Sequence, residues 1–146
     1  ALVGGRPARG PGEPSATARA AALAFECAGI DPRDVSLAEV HDPTAPQELL
    51  DIEEIGLCAR GDAMHWLDRG DTALGGRLPI NVSGGLASRG HPVGATGVAQ
   101  VVELGRQLMQ RAGPSQVASA RVGLAQMAGG LLGNDSAVAT VHLLTI

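Results

Sequence analysis

The sequence predicts an α/β fold in which helices cover a sheet. The first indication is the order of the predicted elements, which is helix, strand, helix, loop, helix, strand, strand. The second is periodicity: a long segment in the second half has apolar residues at helical spacing, whereas the last two apolar runs have strand length. The third is the group of turn-prone Gly-Gly and Gly-Asn-Asp residues between those two runs, which predicts an antiparallel hairpin.

Length and composition indicate one ordered domain. The chain has 146 residues, of which 45% are hydrophobic, so it is long enough for a single core. No apolar run reaches the roughly 18 residues that a membrane-spanning helix requires. The first residues carry no basic-then-apolar signal, so we expect a soluble, cytoplasmic protein.

Charge and residue usage exclude several functions. The formal net charge is −4, and the chain has no Lys, so all 11 basic residues are Arg. They are scattered, which predicts no nucleic-acid partner, and without Lys the chain itself cannot form a Schiff base. No cluster has metal-ligand spacing, so no metal is expected. Cys27 and Cys58 make no disulfide framework, and Cys27 is predicted to be a buried small hydrophobe.

Turn and capping residues set the element boundaries. Residues 1–14 are dense in Gly and Pro and are predicted to be a loop or a cut end, which leaves 15–146 as the domain. Ser15 is the expected N-cap of the first helix, and Gly29 is its expected stop. The predicted helices are 17–28, 43–57, 62–68 and 93–112. The predicted strands are 36–41, 121–127 and 136–144, with a short extended segment at 79–82.

The first candidate for chemistry is His91, which lies between Gly90 and Pro92 in a glycine-rich loop before a helix. Gly84 and Gly85 would let the backbone pass close to a ligand. The following helix would direct its free N–H groups and positive dipole end at that ligand. A histidine there can donate to a developing oxyanion or transfer a proton. A capping histidine in an ordinary tight turn explains the spacing equally well.

Two further segments are weaker candidates. His41 ends a predicted strand, where ligands bind in open α/β sheets, but a structural histidine is the commoner explanation. It precedes His91 by 50 residues (91 − 41), so only the fold can bring the two together. Residues 123–133 run from a strand into paired glycines that could present backbone N–H groups, although local sequence favours a hairpin turn.

Three segments together resemble the thiolase superfamily. NVSGGLASRGHPVGATG, residues 81–97, is similar to the signature N-x-x-G-G-x-x-x-x-G-H-P-x-G-x-x-G. EVHDPTAPQELLDIEEIGLC, residues 39–58, is similar to the His-Asp-Cys-Phe segment of the sterol-carrier-protein-type thiolases. GLAQMAGG, residues 123–130, resembles the last strand and glycine turn. The segments occur in family order, and the resemblance covers about residues 15–145 and only the C-terminal half of the thiolase fold.

This resemblance implies a mixed sheet covered by helices, a CoA thioester as substrate and no covalently bound cofactor. The acylated nucleophilic Cys of the family lies in the other half, so the resemblance implies an N-terminal half or a partner chain, and an oligomer. His91 corresponds to the oxyanion-hole histidine. His41 corresponds to the position that binds a water or a second oxyanion. Residues expected at the CoA thioester are Ser83, Gly84, Gly90, Gly129 and Gly130.

The chain departs from the family where a proton must be moved. The acid/base Cys of thiolases lies at one of two positions, which here hold Pro43 and Ala128. A Claisen condensation needs a base for the α-proton, and neither residue can supply one. The sequence therefore supports an acyltransferase half that provides the oxyanion histidine. It also leaves open a non-catalytic scaffold or an acyl-CoA-binding subunit of a lipid, steroid or polyketide-type complex. A retro-aldol or decarboxylating activity is a weaker alternative, because the related aldolases use tyrosines and this chain has none.

Overall fold

A four-stranded mixed sheet lies at the centre of the computed structural model, which describes all 146 residues. The strands are Leu2–Gly4 (β1), Leu37–Glu39 (β2), Val122–Leu132 (β3) and Asp135–Thr145 (β4). Their order across the sheet is β1-β4-β3-β2. β2 pairs parallel with β3, whereas the other two pairings are antiparallel. The predicted α/β class with a mixed sheet is therefore confirmed.

The chain forms five α-helices, and four of them were predicted from the sequence. They are Ala16–Ala28 (α1), Ala45–Ile55 (α2), Ala63–Arg69 (α3), Gly85–Arg89 (α4) and Thr96–Leu108 (α5). α4 was missed because it has only five residues and its first turn begins at glycines, which have low helix propensity. α5 begins three residues later than predicted, because the chain from His91 to Ala95 still belongs to the preceding loop.

The capping residues predicted for α1 are the observed ones. The Ser15 side chain accepts a hydrogen bond from the Ala18 N–H, so it satisfies one of the free donors of the first turn. Gly29 closes the helix in the left-handed conformation, with φ of 64°. The buried alanines of α1 then pack flat on the sheet.

Alternation along the strands divides the core between the two faces of the sheet. Leu124 belongs to the larger apolar cluster, which contains α1 and α2 residues. Its neighbour Ala125 belongs to the smaller one, with Leu104 and Leu108 of α5. Because adjacent strand residues point to opposite faces, α1 and α2 cover one face and α5 covers the other.

Small residues let α5 approach β3 closely. A Cβ at Gly97 would lie 3.3 Å from Met127 Cγ, and one at Gly123 would lie 3.1 Å from Leu104 Cδ2. α5 thus sits over β2 and β3. On the same face, Thr140 and His142 of β4 line an open groove of 450 Å³ beside α5.

Three local predictions were wrong. Leu2–Gly4, expected to be loop, forms an edge strand because its backbone pairs with β4, and three residues are too few to show a period. Gly129 and Gly130 lie within β3, and the hairpin turns at Gly133 and Asn134 instead. Cys27 is exposed rather than buried, because the last turn of α1 extends beyond the surface on which the helix packs.

Candidate functional site

The fold brings His41 and His91 together. Their ring centroids are 5.2 Å apart, and the rings are tilted by 55°. His41 lies two residues beyond the end of β2, and His91 lies two residues beyond the end of α4. The two histidines thus form one site at the carboxyl end of the parallel β2–β3 pair, where open α/β sheets bind ligands.

Side-chain amides hold the backbone around His41. The His41 N–H donates to Gln126 Oε1 at 2.8 Å, and the Val40 N–H donates to Asn81 Oδ1 at 2.8 Å. Gln126 is fully buried, and its Nε2 donates in turn to Thr17 Oγ at 3.1 Å. These bonds take the place of the strand-to-strand hydrogen bonds that β2 no longer makes beyond Glu39. The His41 backbone is therefore fixed although its strand has ended.

The His41 ring is half-buried and incompletely bonded. Its Nε2 atom is inaccessible to solvent and has no hydrogen-bond partner in the chain. Burial lowers the pKa of His41, and the charge of His91 lowers it further, while Asp42 partly opposes both. These effects favour the neutral form of the ring, and its Nε2 has no partner that would hold a proton in place.

The hydrogen bonds of His91 select its tautomer. The Thr96 hydroxyl donates its one proton to the Pro92 carbonyl at 3.2 Å. With its proton placed there, the hydroxyl accepts from His91 Nδ1, which lies 2.8 Å away. In the neutral ring this assignment leaves the lone pair on Nε2, so His91 can first accept a proton at Nε2 and then donate it to an oxyanion.

A buried carboxylate connects the His41 segment to α4. Asp42 Oδ1 accepts a hydrogen bond from the Leu86 N–H at 2.9 Å. Gly85 lies so close that a Cβ there would be 2.1 Å from Asp42 Oδ2, and its φ is 59°. Only glycine allows this approach, which explains the second glycine of the pair at the start of α4.

The Ser83 side chain is committed to its protein neighbours. Its hydroxyl donates to Glu39 Oε2, its N–H donates to Glu39 Oε1 at 3.0 Å, and Arg89 Nε donates to its oxygen at 3.0 Å. Glu39 is fully buried, and burial raises its pKa against the opposing effects of Ser83 and Arg89. Contact between Ser83 and CoA remains a prediction.

The four glycines expected at the thioester lie at exposed positions on or near this edge. Gly84 caps α4 at its start with φ of 97°, and Gly90 caps its end with φ of 83°. Gly129 and Gly130 lie in the part of β3 that continues past the end of β2. Their contact with a ligand likewise remains a prediction.

Several residues of the site escaped sequence reasoning. The sequence assigned no role to Asn81, Gln126, Glu39, Arg89 and Thr96. Their roles depend on hydrogen bonds that only the fold reveals. Gln126 did carry one indication, since it is a polar residue within an apolar strand, and such residues need buried partners.

Two facing histidines at the end of a parallel strand pair, one of them in a Gly-His-Pro loop before a helix, define the C-terminal half of a thiolase-type fold. Residues 11–141 match the family described as Thiolase C-terminal domain-like. The chain belongs to this family.

Individual relatives agree with that assignment. The chain is 50% identical over 95 residues to non-specific lipid-transfer protein-like 2 of Caenorhabditis elegans, covering 65% of this chain and 23% of the relative. It is 48% identical over 105 residues to human sterol carrier protein 2, covering 72% and 19%. It is 41% identical over 128 residues to an acetyl-CoA acetyltransferase of Methanothermobacter thermautotrophicus, covering 88% and 32%. The chain therefore spans a third or less of each relative.

The fold also matches a solved structure. An Ltp2-ChsH2(DUF35) aldolase superposes with a TM-score of 0.73 at 26% identity, covering 88% of this chain and 31% of that one. None of the five helices is long and apolar enough to cross a membrane.

Proposed function

We propose that this chain is the histidine-bearing half of an acyltransferase that acts on acyl-CoA thioesters. The nucleophilic Cys would come from an N-terminal half, either in the same polypeptide or in a partner chain. The observation that carries the proposal is the pairing of His41 and His91, with ring centroids 5.2 Å apart.

The proposed step is acyl transfer from CoA to that Cys. His91 Nε2 takes the thiol proton, and the thiolate attacks the thioester carbonyl. His91 Nε2–H, now positively charged, stabilises the oxyanion with His41 nearby. When the carbon–sulfur bond to CoA breaks, His91 returns the proton to the departing CoA thiolate. The Thr96 bond to Nδ1 supports this sequence, because it leaves Nε2 as the atom that exchanges the proton.

The surface beside the site supports a completing half. Val93, Val98 and Val101 of the α5 region line an apolar groove, and Val98 is 64% exposed. The Oε1 atom of Gln100 in the same groove is buried and has no partner in the chain. A completing half would cover the valines.

The test is acylation of the full-length protein or complex that contains this chain. After incubation with acetyl-CoA, intact-mass measurement should show one acetyl group on a Cys of the completing half. His91→Ala should slow acylation by at least about a hundredfold, because both the base and the oxyanion donor are lost.

The matched control is His65→Ala, since His65 is an exposed histidine on α3. This variant should acylate at the wild-type rate. Equal acylation of the His91→Ala and His65→Ala proteins would exclude the proposed role of His91.

A second candidate is a non-catalytic scaffold or acyl-CoA-binding subunit. Pro43 and Ala128 at the two acid/base positions favour it, and the structural relative is itself named as a two-component assembly. In that case acetyl-CoA would bind to the intact complex, as measured by calorimetry, but no Cys would become acylated.

A further inference from the structure

We propose that Glu39 is a positioning residue that sets the separation of His41 and His91 by holding both segments through Ser83 and Arg89. This inference rests on the proposed function, since it assigns a role within the same site. It concerns a residue that touches neither histidine ring.

Glu39 connects the two segments through a short series of contacts. It is the last residue of β2 and lies two residues before His41. Its two carboxylate oxygens accept from the N–H and hydroxyl of Ser83. Arg89 donates to the Ser83 oxygen and lies one residue before Gly90. A displacement of this carboxylate is therefore transmitted to His91 through Arg89.

Burial gives the connection its strength. Glu39 is 0% exposed, and the Arg89 side chain is 18% exposed, with its NH2 group 3.8 Å from Glu39 Oε2. In such an environment a charge left without its partner is costly, so the Glu39–Ser83–Arg89 group has few alternative arrangements. The groups that surround the carboxylate are Ser83, Arg89 and, farther away, Glu103 of α5.

A second carboxylate fixes the other end of α4. Asp42, the residue after His41, accepts from the Leu86 N–H. The segment 39–42 thus contacts α4 near both of its ends, through Asp42 at Leu86 and through Glu39 at Arg89. His41 lies between Glu39 and Asp42 in the chain. Without Glu39, the C-terminal end of α4 would lose its bond to the segment 39–42, while the Asp42 bond at its start would remain. The helix could then pivot about Asp42, which would move His91 relative to His41.

The test is Glu39→Gln in the full-length protein or complex. The amide can still accept from the Ser83 N–H, but its nitrogen cannot accept from the Ser83 hydroxyl and faces Arg89 unfavourably. The kcat for acylation should fall about tenfold to a hundredfold with KM within twofold, because misplacement of a catalytic group by 1 Å has effects of this size. The pH at which the rate is half-maximal should also shift, since the charge of His91 lowers the pKa of His41 to an extent that depends on their separation.

A crystal structure of the variant provides a readout that does not depend on activity. The centroid separation of the two rings should differ from the 5.2 Å of the native chain. Ser83→Ala breaks the same connection without changing a charge, and should show the same changes to a smaller extent if Glu39→Gln does not fold. Glu26→Gln, at an exposed position of α1, is the control and should change nothing.

The outcomes separate the two proposals. An unchanged ring separation together with an unchanged pH profile would overturn the role of Glu39, and a fall in thermal stability alone would show that Glu39 is merely structural. A wild-type protein that is not acylated would overturn the proposed function. If the ring separation nevertheless changed in the variants, the positioning role of Glu39 would remain supported although the proposed function had failed.

Discussion

The two histidines are held in different ways, and this difference assigns them different tasks. His91 is oriented through its ring by Thr96, so its Nε2 is directed toward chemistry. His41 is oriented through its backbone by Gln126, and its ring has no bond within the chain. The first arrangement suits a group that cycles a proton, and the second suits a group that binds a ligand oxygen or water.

Gly85 shows how closely the site is packed. In Gly85→Ala the new methyl group would meet Asp42 Oδ2, and the residue would remain in the left-handed region. We expect a loss of at least about 2 kcal/mol in the free energy of unfolding, together with reduced acylation. Urea denaturation of the full-length protein measures the first effect.

Gly29→Ala is the matched control. Gly29 also has positive φ, 64°, but no atom lies within 4 Å of an added Cβ. It should therefore cost about 1 kcal/mol from backbone strain alone. Equal losses for the two variants would show that the contact with Asp42 contributes nothing.

The buried carboxyl of Asp51 should make the free energy of unfolding depend on pH. It is fully buried in α2, and one of its carboxylate oxygens has no partner. Burial raises its pKa from 3.8 to about 7, with the charges of Glu54 and Asp42 contributing further. Between about pH 4 and pH 7 the unfolded chain has released this proton and the folded chain has not, so stability falls as pH rises through this range.

Asp51→Asn should remove that dependence. At pH 8 the variant should unfold at a higher temperature than the wild type, because no charge is buried. At pH 5 the advantage should be much smaller, since the folded wild type then keeps its carboxyl protonated and only the ionisation of the unfolded chain still lowers its stability. Thermal unfolding at both values provides the measurement, with Asp68→Asn at an exposed position of α3 as control. A difference that does not change with pH would contradict the assignment.

At the scale of elements, the two N-caps make contrasting contributions. Ser15 accepts from the Ala18 N–H at 3.1 Å and donates to Glu54 Oε2 at 2.6 Å, whereas Thr44 before α2 makes no capping bond with its side chain. Ser15→Ala should therefore cost about 1 kcal/mol or more, and Thr44→Ala only a few tenths. Urea denaturation of both variants checks this, and a larger cost at Thr44 would contradict it.

The elements with strong local patterns could be predicted from the sequence. α1 has a capping serine, a stop glycine and an apolar stripe, and α5 has a long helical period, so both were found within a few residues. α4 has none of these features. Its helical form depends on Asp42 accepting from the Leu86 N–H, which is a contact across 44 residues of chain.

The candidate site could likewise be predicted only in part, because only some of its residues carry a local sequence pattern. His91 lies in a motif of closely spaced residues, and His41 was linked to it through the family resemblance. Their contact depends on the parallel pairing of β2 with β3, which no local pattern encodes. Glu39 and Gln126 could not be assigned roles before their partners were known.

At the scale of the whole molecule, one sheet face is covered less fully than the other. α1 and α2 cover the first face, whereas α5 covers only part of the second and exposes valines beside the groove. An exposed apolar face of this kind is typical of a surface that another protein surface covers.

Val98→Asp should weaken association with the completing half. A carboxylate on that face would have to be desolvated, so we expect at least about a tenfold loss of affinity, or loss of stability if the halves share a polypeptide. Leu23→Asp is the control, because Leu23 is 45% exposed on α1, on the opposite face of the sheet. Native mass measurement or thermal unfolding would show the difference. Equal effects of the two variants would contradict the assignment of this face.

The proposed function requires a site that activates a thioester although Pro43 and Ala128 stand at the two positions where a base for the α-proton is expected. The most direct measurement incubates the full-length protein or complex with acetyl-CoA in D₂O and records acyl-enzyme and deuterium in the methyl group together. We predict an acylated Cys and no incorporation of deuterium, because Pro43 and Ala128 cannot act as bases. Deuterium incorporation that depends on the protein, or complete absence of acylation, would contradict the account.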